Sequence, residues 1–371
     1  AYPPEALINC DSFAVIDNLI IGWIIERLLS EDTGARLKDM TIPEVCQKRN
    51  KMHFGKEYWV EYKLLENAYY LIKSANYSCP DDFKGVVDQY RSSDCLIDTR
   101  YRYFYYWFDQ LTDNVDYEQL RDLVENIYTN EYLSKMISKW NTGIISEEAL
   151  TVLPLQRNFY SRYIRSYKDR VVVIISDGMR YETGRALWER LQDDEKCSAK
   201  LEAMLSVLPS YTRLGMAALL PHKSLEITDD FRVLTDGSVC DDLKQREIIL
   251  QSYSPKSRCV QFDDIKAMKE SPLRKVFNGM DVIYIYHNQI DARGDKVNTE
   301  DEVFTACEEA VNEIYDLIKR LTDRVSATHY IVTADHGFIY KRDKLQESDK
   351  IGNVAEKGAM VNRRFIISDL P

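Results

Sequence analysis

The sequence lacks the marks of several common protein classes. Its eight cysteines are scattered and none forms a CxxC pair, which argues against a zinc ribbon or a thioredoxin-type motif and favours the reduced thiols of a cytosolic protein. The most apolar stretch, Leu19 to Ile25, is far too short to span a bilayer, and no signal-peptide pattern precedes it. We therefore predict a cytoplasmic protein with no membrane segment.

A basic surface is also missing. The chain carries 60 Asp and Glu residues against 49 Lys and Arg residues, for a net charge of −11 at pH 7. This balance argues against a protein coated in positive charge for nucleic acid, although it does not exclude a local basic groove. The sequence begins at Ala1 and not at a methionine, which predicts a fragment of a longer protein. Its 371 residues are enough for about two domains.

The first 150 residues have the texture of a helical domain. Apolar residues recur at helical spacing, and Asp11-Ser12 is placed to cap the first helix. The run from Tyr101 to Trp107 is almost entirely aromatic. It could stack nucleic-acid bases, but its acidic, helical setting favours packing in a core. We predict an α-helical N-terminal domain over residues 1–150.

The pattern changes near residue 150. Three short β-branched or aromatic runs, at residues 171–175, 282–286 and 330–332, have the composition of strands buried on both faces of a parallel sheet. Helical patterns lie between them, including an apolar stripe from Val303 to Leu321. Alternating strands and helices predict an α/β domain over residues 151–371, with a mainly parallel sheet flanked by helices.

Each of these predicted strands ends in acidic residues or histidine. Ligands of such sheets bind beyond the carboxyl ends of the strands, and carboxylates that converge there repel one another unless a cation offsets the charge. A mixed Asp and His set suits zinc or manganese. A single Asp-Gly after a strand is commonly just a turn, but three such strand ends together favour a metal site. The candidate ligands are Asp177, Asp291, Asp295, Asp335 and His336.

The segment Pro209 to Leu220 contains the candidate nucleophile. It has the pattern of a loop that enters a short helix at about Thr212, where free N–H groups and the helix dipole favour a phosphate. A metal ion would lower the pKa of the Thr212 hydroxyl. The alternative is that Ser210 or Thr212 only caps the helix. Arg213 would either brace a phosphate oxygen or face solvent.

The order of these motifs resembles the alkaline-phosphatase superfamily. The stretches IISDGMRYE, LPSYTRLGMAALLPH, YIYHNQIDARGD and TADHGFIY are similar to the PglZ family of BREX bacteriophage-defence systems. The resemblance covers roughly residues 165 to 371. It implies an alkaline-phosphatase-like core preceded by the helical domain, and other BREX defence proteins as partners.

The resemblance also implies a role for each matching residue. Asp177, Asp335 and His336 would hold one ion, and Thr212 would be the nucleophile that bridges two ions. Asp291 would bind the second ion, with Asp295 where many members have a histidine. The superfamily's further downstream histidine has no counterpart, because no histidine follows His336. His287 is either a substitute ligand or a supporting residue. We expect zinc, with manganese, magnesium or calcium as alternatives at the oxygen-rich second site.

These implications predict a metal-dependent phosphoester hydrolase. A phosphodiesterase, and specifically a nuclease, fits the defence context better than a monoesterase, so nucleic acid or another phosphodiester is the expected substrate. The alternative is a catalytically idle phosphatase-fold module that acts as a binding scaffold in a defence complex. Either could form an oligomer.

Overall fold

The computed structural model describes residues 3–144, 149–294, 299–343, 359–362 and 365–367. The chain divides into two compact units. The first comprises Ala1–Val152 and Tyr340–Asp343, and the second comprises Leu153–Ile339 and Lys344–Pro371. The division into domains at residues 1–150 and 151–371 stays a prediction.

The first unit is built from helices, with one short hairpin. Two π-helical segments, Tyr90–Asp94 and Ile127–Leu133, each connect consecutive α-helices of this unit. The elements are α1 (Pro4–Leu7), α2 (Val15–Leu29), β1 (Arg36–Leu37), β2 (Met40–Thr41), α3 (Ile42–Arg49), α4 (Trp59–Lys73), α5 (Phe83–Gln89), α6 (Cys95–Phe108), α7 (Glu118–Asn126), α8 (Ser134–Ile144) and α9 (Ala149–Val152).

The aromatic run lies in α6 and contributes mainly to the core. Tyr101, Phe104 and Tyr105 are fully buried, whereas Tyr103 and Trp107 are only partly buried. The Tyr101 and Tyr105 hydroxyls donate to the buried Glu125 carboxylate at 2.8 and 2.6 Å. These bonds satisfy the polar ends of the rings, which lets them pack inside a helical core. The prediction of core packing is confirmed for the inward face of the run.

The predicted cap at Asp11-Ser12 is wrong. Helix α2 begins at Val15 and has no side-chain cap. The Asp11 carboxylate instead accepts hydrogen bonds from the backbone N–H groups of His53 and Phe54, at 2.6 and 3.1 Å. An aspartate carboxylate can accept from any free N–H group that lies close in space. The two N–H groups that bond to Asp11 are more than 40 residues away in sequence.

A fully buried ion pair joins α2 to α3. The Arg49 guanidinium donates to both carboxylate oxygens of Asp17, at 2.8 and 2.6 Å, and to the carbonyls of Ile8 and Cys10. The Tyr62 hydroxyl donates to the same carboxylate at 2.6 Å. Both charges are fully buried, so each depends on the other and on these hydrogen bonds.

Removing one partner of this pair should destabilise the helical unit more than removing both. Arg49→Met leaves a buried, uncompensated carboxylate and should lower the free energy of unfolding by about 3–5 kcal/mol. The double variant Asp17→Leu/Arg49→Met should recover part of that loss. Urea denaturation followed by circular dichroism measures both, with the exposed Lys84–Asp88 pair as the control. A double variant less stable than Arg49→Met would contradict this account.

The second unit is organised around a four-stranded parallel sheet, in which the strands Ser257–Gln261, Val282–His287, Val171–Ser176 and His329–Thr333 lie side by side in that order. Helices flank this sheet. The strands Leu225–Ile227, Val233–Thr235 and Ser238–Val239 form a small antiparallel sheet, and Met360–Val361 pairs with Ile366–Ile367. The elements are α10 (Phe159–Tyr163), β3 (Val171–Ser176), α11 (Tyr181–Gln192), α12 (Thr212–Ala218), β4 (Leu225–Ile227), β5 (Val233–Thr235), β6 (Ser238–Val239), α13 (Leu243–Tyr253), β7 (Ser257–Gln261), α14 (Phe262–Lys266), α15 (Glu270–Phe277), β8 (Val282–His287), α16 (Ile290–Gly294), α17 (Val303–Val325), β9 (His329–Thr333), β10 (Met360–Val361) and β11 (Ile366–Ile367).

The burial of the two central strands follows from their sequence, whereas β9, at the edge of the sheet, is only half-buried and not covered on both faces as predicted. Every residue of β3 and β8 is buried, as their β-branched and aromatic runs predict for strands covered on both faces. The three predicted strands are β3, β8 and β9, and the apolar stripe from Val303 to Leu321 lies on α17. The predicted fold class is confirmed. Among the described residues, no helix is long and apolar enough to cross a membrane.

Candidate metal centre

The sheet register brings the three acidic strand ends together. Strand β3 lies between β8 and β9, so Ser176 is the register partner of His287, and Ile175 is the partner of Thr333. All three strands run in the same direction, and their carboxyl ends therefore meet at one edge. The residues that follow them, Asp177, Asp291 and the Asp335-His336 pair, are delivered to that edge.

Four side chains converge on the His336 ring. Its Nε2 atom lies 3.2 Å from Thr212 Oγ1, 3.4 Å from Asp335 Oδ2 and 3.6 Å from Asp177 Oδ1. Asp291 belongs to the same cluster, since one ligand atom each from Asp177, Asp291 and His336 lie within 4.8 Å of one another. Asp177, Asp335 and His336 are buried, and Asp291 is half-buried.

The buried carboxylates carry a charge that the described protein groups offset only in part. Asp177 Oδ1 and Asp335 Oδ2 are buried and have no hydrogen-bond partner among the described residues. Burial, followed by the nearby charges of Asp335 and Asp291, raises the pKa of Asp177 well above its ordinary value, and burial also raises the pKa of Asp335. The donor set of two buried carboxylates and one imidazole fits a divalent ion such as zinc or manganese.

The hydrogen bond on the far side of His336 orients its ring. The Nδ1 atom lies 3.0 Å from the carbonyl oxygen of Gly337, and that oxygen can only accept, so Nδ1 carries the proton. In the neutral ring, the Nε2 lone pair then faces the carboxylates and the Thr212 hydroxyl, which lies 3.2 Å away. A carbonyl that fixes the tautomer in this way is typical of metal-binding histidines.

Two residues hold the segment that carries the candidate nucleophile Thr212 against the strand end. A Cβ atom added to Gly215 would lie 2.3 Å from the carbonyl oxygen of Asp335, so only glycine lets α12 approach this closely. The buried Gln156 amide donates to the carbonyls of Ala334 and Asp335, at 3.1 and 2.6 Å, and accepts from the Val207 N–H group at 3.0 Å. No sequence pattern marks Gln156, because a single amide at the start of a one-turn 3-10 helix carries no periodic signal.

The remaining candidates are also placed. Helix α12 begins at Thr212, as predicted, and neither Ser210 nor Thr212 caps it. The Ser210 hydroxyl donates to the Val207 carbonyl at 3.5 Å. Arg213 is mostly exposed and lies 3.6 Å from Asp241, which matches the solvent-facing alternative. Asp295 lies outside the described residues.

His287 is not available as a ligand. Its Nδ1 atom lies 3.1 Å from Ser176 Oγ, and its Nε2 atom lies 3.0 Å from Glu313 Oε2. Both ring nitrogens are therefore engaged with protein groups, which favours the supporting role over the substitute ligand.

Comparison with known proteins identifies the family. The profile described as "BREX system PglZ alkaline phosphatase-like domain" matches residues 159–371. The chain belongs to the PglZ family. The family predicted from the four motifs is thus confirmed, and with it the alkaline-phosphatase-like character of the α/β unit.

Two curated PglZ-type relatives align with almost the whole chain. The alkaline phosphatase-like protein PglZ of Bacillus cereus (strain H3081.97) is 38% identical over 377 residues, which cover 97% of this chain and 43% of that protein. The alkaline phosphatase-like protein BrxZ of Escherichia coli O9:H4 (strain HS) is 31% identical over 387 residues, 98% of this chain and 44% of that protein. The chain thus spans less than half the length of these relatives.

Neutralising one carboxylate should stabilise the metal-free protein. The pKa of Asp177 is higher in the folded chain than in the unfolded chain, so the folded state loses stability as the pH rises above the ordinary aspartate pKa of about 4. In a chelator at pH 7 to 8, Asp177→Asn should be more stable than the parent by roughly 1–4 kcal/mol, and the difference should shrink toward pH 4. Thermal unfolding across this pH range measures it.

The same variant should lose its response to metal. Zinc or manganese should raise the unfolding temperature of the parent by binding the folded state, and should raise that of Asp177→Asn much less. An Asp177→Asn protein that is less stable than the parent in chelator, or equally stabilised by metal, would contradict the ligand assignment.

Proposed function

We propose that this PglZ unit is a metal-dependent phosphoester hydrolase with Thr212 as its nucleophile. The observation that supports this most directly is the position of the Thr212 hydroxyl, 3.2 Å from His336 Nε2 and beside two buried carboxylates. A threonine hydroxyl becomes a nucleophile only when a neighbouring base or metal ion lowers its pKa. His336, and the Asp177 and Asp335 carboxylates next to its ring, are groups that can hold such an ion.

The ligand assignment of this proposal follows the resemblance to the PglZ family. Asp177, Asp335 and His336 would hold the first ion, for which zinc is the best match. Asp291 would contribute to a second ion together with Asp295, and an oxygen-rich set of that kind favours manganese, magnesium or calcium. When bound, such ions supply positive charge that lowers the pKa of the Thr212 hydroxyl and neutralises phosphate oxygens.

The protein groups then carry out a double displacement. The Thr212 hydroxyl gives up its proton as its oxygen attacks phosphorus in line with the ester bond. The Thr212 O–P bond forms, the ester P–O bond breaks, and the departing oxygen takes up a proton and leaves as the alcohol. Water then attacks the phosphothreonine, restores the hydroxyl and releases the phosphate product. The first residues of α12 hold the nucleophile, and Gly215 and Gln156 hold α12 and the Val207 segment against Asp335. Correct placement of this kind supplies much of the rate of phosphoryl transfer.

A phosphodiester is the proposed substrate, and nucleic acid is the leading example. This choice comes from the defence setting that the family description names, the BREX system, and other BREX proteins are the proposed partners. The relatives are more than twice as long as the part aligned with this chain, so the activity of a whole PglZ protein is part of the same proposal. We also propose that the protein is cytoplasmic and that it can form an oligomer.

One assay separates the enzyme from an idle phosphatase-fold module. Purified protein is given bis-p-nitrophenyl phosphate or p-nitrophenyl phosphate with chelator, zinc or manganese. Metal-dependent release of nitrophenol from the diester supports the proposal, and preference for the monoester would overturn the diesterase assignment. No turnover with any metal, together with retained metal binding, would favour the binding scaffold.

Thr212→Ala should remove activity and leave metal binding largely intact. The loss of an activated nucleophile should lower the rate by several orders of magnitude. Ser210→Ala is the matched control, because its hydroxyl bonds only to a carbonyl in its own loop, and it should have a mild effect. Steady-state kinetics and calorimetric metal titration test both. Retention of more than about a tenth of the activity, or about 1.4 kcal/mol of barrier, by Thr212→Ala would rule out its role.

A further inference from the structure

Two acidic side chains of α17 contact both ends of the segment that presents Asp291. Glu313 lies 3.0 Å from the His287 ring, at the end of β8. Glu309 forms an ion pair with Arg293, in α16. Glu309 and Glu313 are four residues apart and therefore lie on the same face of α17. Asp291 lies between the two anchored residues, four after His287 and two before Arg293.

The His287 end is fixed on three sides. The carboxylate of Glu313 can only accept, so His287 Nε2 donates to it and Nδ1 accepts from the Ser176 hydroxyl at 3.1 Å. The His287 carbonyl also accepts the N–H of Asp177 at 2.8 Å. The ring is fully buried and packs edge-on against Phe262. The ring and the backbone at this end therefore have little freedom to move.

The Arg293 end is held by weaker contacts. Its side chain pairs with Glu309, which is about half exposed, and its carbonyl accepts from the Thr299 hydroxyl at 2.9 Å. Gly178 bounds the segment from the third side: its φ is +74°, and a Cβ atom there would lie 3.4 Å from Asp291 Cβ. The Asp291 side chain is thus placed by contacts at both ends of its segment and by its packing against Gly178.

We propose that Glu313, acting through His287, and to a smaller extent Glu309, acting through Arg293, are positioning residues that hold Asp291 in the metal cluster. This inference rests on the proposed metal-dependent function. It explains why both ring nitrogens of the buried His287, at the end of β8, form hydrogen bonds to protein groups. It also assigns a role to α17, which supplies no ligand of its own among the described residues.

A double-mutant cycle separates positioning from simple helix docking. Calorimetry with manganese alone and with zinc alone is run on the parent, Glu313→Ala, Asp291→Ala and the double variant. Removal of a supporting partner of this kind typically weakens metal binding by about 10–100-fold, which is the loss expected for Glu313→Ala. Because Glu313 acts through Asp291, it should have no further effect once Asp291 is alanine.

Three variants complete the test. Glu313→Gln keeps an acceptor for His287 and should restore most of the affinity. Glu309→Ala should cost only a few-fold, because its contact is more exposed. Asp316→Ala removes an exposed acid from the same helix and should change nothing. Urea denaturation in chelator locates the unfolding transition of each variant, and metal affinity is measured well below it, so that lost affinity is not lost folding.

The outcomes are distinguishable. Parent-like affinity in Glu313→Ala, or equal losses in the presence and absence of Asp291, would overturn the positioning role and leave the proposed metal site intact. A parent that binds neither manganese nor zinc would overturn the proposed function, and the positioning role with it.

Discussion

Repulsion among buried carboxylates is the constraint on which the rest of the second unit depends. Asp177 and Asp335 are nearly or fully buried beside each other, with Asp291 close by. Such groups are unfavourable in a protein interior when they are ionised. The fold compensates only in part: the Gly178 N–H donates to one Asp335 oxygen at 3.1 Å, and one oxygen of each buried carboxylate stays without a hydrogen bond. Either a bound proton, which the raised pKa of Asp177 favours, or the divalent cation that we propose would balance the remainder.

Thr212, the proposed nucleophile, is held beside this cluster by one backbone contact and by one side-chain amide. Because Gly215 has no Cβ atom, α12 can pack directly against the Asp335 carbonyl. Gln156 uses one amide group to join the Asp335 strand end to the Val207 loop that leads into α12. Each link connects segments that are distant in sequence, so the site exists only when the whole unit is folded.

Local patterns in the sequence were enough to predict the sheet and the converging strand ends. Strands β3, β8 and β9 are continuous apolar runs, and the start of α12 at Thr212 follows from a loop pattern before an apolar helix. Strand β7, with the sequence SRCVQ, has no such run and was not predicted. Gln156, Glu309 and Glu313 were not predicted either, because their roles depend on residues that only the tertiary fold places beside them. Asp11 shows the same limit: its local context favours a cap, but its partners come from another part of the chain.

The close approach at Gly215 limits how far the two sides of the cluster can move apart. Because α12 packs directly on the backbone of the strand end that carries Asp335, a shift of Thr212 away from that carboxylate would have to displace the strand end or open this contact. In the reaction that we propose, a larger substrate would therefore have to be accommodated by groups outside this contact.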